Sequence, residues 1–140
     1  MGRINIGRLV AGGVVAGIVG NALHYVTNVY LMDVEMTDMM QRLNLNQFTV
    51  ESSAVTWIVV DFIWGLLLVF AYAAMRPRFG PGPGTAAISS ITLWAGVVSV
   101  FAGLAAMGIY TQQAFIKESA LNLVVVLASG LAGAYVYKEE

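Results

Sequence analysis

Cysteine is absent from the 140 residues, and histidine occurs once. The first absence excludes a disulfide framework, thiol chemistry and any cysteine-ligated metal centre. The second leaves a single imidazole, His24, for acid–base or ligand work. Charge is scarce as well. Asp, Glu, Lys and Arg make up 11% of the chain against 59% apolar residues, too few to cover a soluble surface of this size. The net charge of −1 gives no basic surface, so nucleic acid is not an expected partner. A phosphate-binding loop is also missing: Gly80, Gly82 and Gly84 follow no strand and precede no lysine.

What the chain has in quantity is apolar sequence in long runs: Leu9–Met32, Ala54–Met75, Ala86–Tyr110 and about Ala120–Tyr137. A hydrocarbon core of ~30 Å needs about 20 apolar residues as a helix, and lipid offers backbone groups no other partner. The expected fold is all-α: one integral membrane domain, an up-down bundle of four spans at about 9–32, 54–75, 86–110 and 120–137. The first run follows arginines, as a signal peptide would. It is long for such a segment and no small-residue cleavage site follows, so a retained helix is expected. Arg3, Arg8, Arg76, Arg78 and Lys138 fall on one side of the spans, and only Arg42 and Lys117 on the other. The positive-inside rule then places both termini in the cytoplasm and the chain in a cytoplasmic (inner) membrane. Tyr30, Tyr110, Tyr135 and Tyr137 lie near span ends, where an interfacial aromatic belt would sit.

Between the first two spans, Met36, Met39, Met40 and Leu43 recur at the spacing of one apolar helix face, opposite Glu35, Asp38, Gln41 and Arg42. The spacing predicts an amphipathic helix over 33–43, started by Asp33 as cap and lying on the outer surface or across the bundle mouth. Asn44 and Asn46 suit a turn, and Ser52 or Ser53 a cap for the second span. Proline disfavours helix at the residue before it, so the second span is expected to end near Arg76, with 76–84 as a non-helical turn. Small residues mark helix faces that can pack closely in lipid: Gly13, Gly17 and Gly20 on the first span, Ala95, Ser99 and Gly103 on the third, Ser129, Gly130, Gly133 and Ala134 on the fourth.

The turn Arg76-Pro-Arg-Phe-Gly-Pro-Gly82 and the ending Gly133-Ala134-x-x-Tyr137-Lys138 resemble segments of small, uncharacterised bacterial membrane proteins. The resemblance implies a four-span bacterial protein and carries no activity and no site residues.

Two acid or base side chains lie deep in the expected spans. His24 precedes Met32 by eight residues, and Asp61 follows Ser53 by eight. Both are then roughly 12 Å below the outer helix ends. An unpaired carboxylate in hydrocarbon is costly, so Asp61 is expected to meet His24 inside the bundle. Asn21, Asn28 and Asn122 lie at nearby depths, and Trp57 and Trp64 flank Asp61 on its own helix face. These residues form the candidate binding site.

Three functions fit. The first is a non-catalytic structural or accessory subunit that packs against a membrane protein partner or forms a homo-oligomer. The second handles a proton or small solute in an outward-facing polar pocket at His24 and Asp61. The third binds haem or a chlorin through His24, with Gly17, Gly20 and Asn21 leaving a flat recess beside the imidazole. Thioethers at Met32, Met36, Met39 and Met40 also suit Cu(I), although an apolar helix face accounts for them without metal.

Overall fold

The computed structural model describes residues 4–138, apart from the side chains of Phe48 and Thr49. Arg3, counted above among the basic residues, lies outside the described residues. The helices are α1 (Ile6–Val26), α2 (Asp33–Arg42), α3 (Gln47–Ser52), α4 (Ala54–Phe79), α5 (Pro83–Ala106) and α6 (Gln112–Val136), with a π-helical turn over Thr27–Leu31 prolonging α1. Four stretches are long and apolar enough to cross a membrane: Ile6–Leu31, Val50–Phe79, Pro83–Ala106 and Gln112–Val136. The chain is an all-α, four-span, multi-pass membrane protein.

Local chemistry sets several ends. The Asn5 side chain accepts from Arg8 N at 3.0 Å and starts α1; Thr111 accepts from Ala114 N at 3.1 Å and starts α6. That cap carries α6 back through Gln112–Ser119, eight residues earlier than the apolar run alone predicts. Asp33 is not the cap of α2 but its first residue, where its charge complements the helix dipole. Ser53 precedes α4, yet its hydroxyl donates back to Val50 O at 2.6 Å instead of accepting from an α4 amide, because α3 runs almost straight into α4. Asn44, at φ 51°, makes the expected turn.

The turn expected over 76–84 is much shorter. Helix α4 continues through Pro77 to Phe79. Pro77 forfeits one helical bond, the one its missing N–H would make back to Ala73 O, and Gly80 N closes the helix on Arg76 O at 2.8 Å. Pro83 opens α5, where its missing N–H leaves nothing unsatisfied. The non-helical link is therefore Gly80–Gly82, and the φ values of 82° and 136° at its two glycines explain why glycine stands there.

Helix α1 packs most extensively on α4 and α6, while α5 lies against α6 and more lightly on α4. Glycines set these contacts. Backbone atoms of Gly13 and Gly17 lie directly on Gly65 of α4, and a Cβ at Gly12 would stand 2.7 Å from Gly133 O of α6. Such approach replaces hydrophobic driving force, which lipid does not supply, with backbone van der Waals contact. Val69 is fully buried at the centre, beside Ala16, Ala73, Ala86 and Ala134. The larger side chains point outward: Val10, Val14, Ile18 and Tyr25 form an exposed stripe on α1. Tyr30 and Tyr135 are exposed near helix ends, as in a belt, but Tyr137 is buried and belongs to the core.

At the end that carries the termini, the Arg76 guanidinium lies over the rings of Tyr72 and Tyr137, 5.7 and 5.5 Å from their centroids. Tyr137 also accepts from Asn5 N at 3.4 Å, joining the two ends of the chain. At the far end α2 lies across the bundle mouth. Arg42 donates to Gly108 O and Ile109 O at 3.3 and 3.1 Å, and Lys117 of α6 meets Glu35 at 2.8 Å. The methionine face turns inward, with Met32 buried and Met36, Met39 and Met40 half-buried.

Candidate functional site

His24 stands on α1 one turn before the π-helical segment, and Asp61 on the facing side of α4 just beyond the last glycine contact. Asp61 Oδ1 lies 2.8 Å from His24 Nδ1, and Asp61 is 8% exposed. Equal depth below the far helix ends brings the two side chains level, and Gly17 lets α4 come close enough for them to touch. Asn122 of α6 completes the arrangement, its Nδ2 lying 3.1 Å from His24 Nε2.

The hydrogen-bond directions follow from what each atom can do. An amide nitrogen only donates, so Nε2 of His24 accepts. The ring proton is then on Nδ1 and is donated to Asp61. The imidazole thus joins three helices, α1, α4 and α6, through its two ring nitrogens.

The remaining expected residues divide. Asn21 donates to Gly17 O at 2.9 Å and across to Ile58 O at 3.3 Å, tying α1 to α4 one turn nearer the termini than His24. Asn28 donates to His24 O at 2.8 Å and is exposed. Trp57 is 62% exposed and Trp64 half-buried, so Trp57 does not enclose Asp61 as their shared helix face implied. The outer part of α4, residues 54–59, is exposed at every position, although Ile58 O still accepts from Asn21 of α1.

The flat recess expected beside the imidazole is filled. Gly17 is covered by Phe62, Gly20 faces Ser129 and Asp61, and both ring nitrogens of His24 are engaged. Axial ligation of a macrocycle by His24 would require displacing Asn122 and prising α4 away. Among the described residues, no group of three or more His, Asp and Glu side chains converges on one point.

Two participants were not expected. Glu118 lies one turn before Asn122 on α6, close enough to His24 for the two to attract when the imidazole is protonated. It also reaches Tyr110, whose hydroxyl pKa is pushed up by burial first and by Glu118 second. Ser129, two turns beyond Asn122 on the same face, is 3% exposed, and its hydroxyl has no hydrogen-bond partner among the described residues. The signal for both was the spacing Glu118, Asn122, Ser129, which becomes readable once α6 is known to begin at Gln112. Glu35 is held below the ordinary carboxylate range by the hydrogen bond from Lys117.

The chain matches no protein-family model, no curated protein and no solved structure.

Proposed function

We propose that this membrane protein is a non-catalytic accessory subunit of a bacterial cytoplasmic membrane, with both termini in the cytoplasm, that acts by packing against another membrane protein. The observation that carries this reading is on α5. No residue of α5 beyond Ser90 is buried, and a Cβ at Gly96 or Gly103 would meet nothing within 4 Å. A helix that keeps glycines on a face its own bundle leaves open has the surface that close helix association in lipid uses. The orientation is supported by Arg8, Arg76, Arg78 and Lys138, which share the end with the termini. The bacterial assignment rests on the resemblance of the Arg76–Gly82 turn and of the ending Gly133–Lys138 described above.

The cysteine-free chain makes the test direct. Single cysteines at Gly96 or Gly103, carrying a short crosslinker in native membranes, should give one discrete larger product. A cysteine at Val14, on the exposed stripe of α1, should give none. A product of twice the chain's mass would identify a second copy as the partner. Equal crosslinking from all three positions, or none from any, would contradict the proposal.

A second reading is favoured by a different observation, the engagement of both His24 nitrogens by Asp61 and Asn122. A buried carboxylate beside an imidazole is suited to taking up a proton or a small solute from the α2 end. Under this reading Asp61→Asn preserves the fold and abolishes function in cells. If the arrangement serves only to fix helix register, Asp61→Asn preserves both.

A further inference from the structure

His24 meets α6 through Nε2, and the partner it has there suits only one state of the ring. Asn122 Nδ2 lies 3.1 Å from Nε2 and donates to it, so Nε2 carries no proton in this arrangement. The other nitrogen, Nδ1, is held by Asp61 Oδ1 at 2.8 Å, and a ring with one proton or two can donate there. A second proton therefore has one place to go, Nε2, where it sets a donor against the Asn122 donor.

One turn nearer α2, on the same face of α6, stands a group that suits the other state. Glu118 precedes Asn122 by four residues and is close enough to His24 to attract the protonated imidazole. A carboxylate accepts from a charged N–H more strongly than an amide oxygen does, which favours Glu118 over an Asn122 amide turned end for end. The other charged groups near the ring are engaged elsewhere or exposed. Lys117, beside Glu118, meets Glu35 of α2 at 2.8 Å, and Arg42 of α2 meets Asp38 at 2.9 Å. Asp33 is exposed, Tyr110 faces Glu118, and α5 carries no Asp, Glu, Lys, Arg or His. His24 also marks the point where α1 becomes π-helical. Thr27 Oγ1 and Asn28 Nδ2 both donate to its carbonyl, at 3.1 and 2.8 Å, and π-helical turns of this kind recur at functional sites.

We propose that His24 is a proton-operated switch between two partners on α6: Asn122 while Nε2 is bare, and Glu118 once Nε2 is protonated. This inference rests on the second reading of the polar site; it names the proton as the ligand and Nε2 as the atom that takes it. The proton comes from water at the α2 end and adds to the Nε2 lone pair. The hydrogen bond from Asn122 breaks, one to Glu118 forms, and Asp61 keeps its own throughout.

A single histidine makes the test direct. Nitrogen-15 NMR of the full chain in mild detergent reads the protonation of each ring nitrogen of His24, followed over about pH 4–9, which spans the range where histidine ordinarily changes charge. The native protein should show Nδ1 protonated and Nε2 bare at the upper end, and both protonated at the lower. Glu118→Gln keeps the side chain's shape. At the native midpoint it should hold about tenfold less of the doubly protonated ring, the worth of one charge-assisted hydrogen bond. Asn122→Ala should move the ratio the other way, because it removes the donor that keeps Nε2 bare and admits water, which can donate or accept. A merely structural role for the two residues predicts no such opposition. The proposal is overturned if Nε2 does not change its protonation over this range, or if Glu118→Gln titrates as the native protein does. It is also overturned if Asn122→Ala leaves the ratio unchanged or lowers it, as it would were the Asn122 amide to turn over and serve both states. The second reading is judged separately, by Asp61→Asn in cells. Loss of function there, with an unchanged titration in Glu118→Gln, keeps that reading and removes the switch.

Discussion

The two halves of the bundle hold together by different chemistry. Toward the termini, α1, α4 and α6 meet backbone to backbone at Gly12, Gly13, Gly17, Gly65 and Gly133, around the fully buried Val69. Toward α2, helix α4 is exposed over residues 54–59, and polar contacts join the elements: His24 with Asp61 and Asn122, Trp94 Nε1 with Ser119 O, Glu35 with Lys117, beside the inward methionine face of α2. Glycine contacts are dispersive, dry and intolerant of added atoms. Polar contacts tolerate separation and water, and they leave groups that can exchange protons or ligands. The half with the tightest backbones is thus the scaffold, and the half with the looser helices carries the groups available for chemistry.

The largest effect should come from adding atoms to the scaffold half. Gly65→Leu sets a side chain into the backbone of Gly13 and Gly17 and should lower stability by about 3 kcal/mol or more, or prevent assembly, as read by unfolding in detergent. Gly103→Leu, facing open space, should leave the monomer's unfolding unchanged. Equal effects at the two positions would erase the contrast between a packed and an unpartnered glycine.

A smaller effect is expected at the α2 end. Arg42→Ala removes the donors to Gly108 O and Ile109 O, and Lys117→Ala frees Glu35. Each should speed amide exchange over Asp33–Arg42 while leaving exchange in α1 and α4 as it was. The Glu35–Lys117 contact also gives a pH dependence with a definite sign. The folded-state pKa of Glu35 lies below its ordinary value of 4.5, so its stabilisation is present above that value. It is lost as pH falls through the lowered one. Exchange in α2 should therefore accelerate as pH falls below 4.5, and Lys117→Ala should abolish that step. An α2 segment already exchanging freely at neutral pH would mean that it does not close the mouth.

The four spans were legible because apolar runs of this length have few other physical uses, and the His24–Asp61 contact because equal depth and the penalty on a lone carboxylate left each one partner. What escaped the sequence had local causes. Pro77 looked like a stop, but a proline in the last turn disturbs few bonds, and α4 runs on to Phe79. The polar start of α6 hid Glu118, since an apolar run begins only at Ala120, whereas the helix begins at the Thr111 cap. Trp57 shares a helix face with Asp61, yet a shared face does not reveal that α4 is exposed at every position over residues 54–59. That Ser129 faces Gly20 across the α1–α6 contact is visible only when the neighbouring helices are in place.

The division of the bundle rests on His24 and Asp61 holding the α2 half together as a pair. A double-mutant cycle in mild detergent measures this directly. His24→Ala and Asp61→Ala should each destabilise by about 1–2 kcal/mol, because each leaves a buried group unsatisfied. The double variant should lose less than the sum, by a coupling of about 1 kcal/mol. Strict additivity would contradict the account, for it would mean that the two side chains, 2.8 Å apart, contribute independently and that other contacts hold the α2 half.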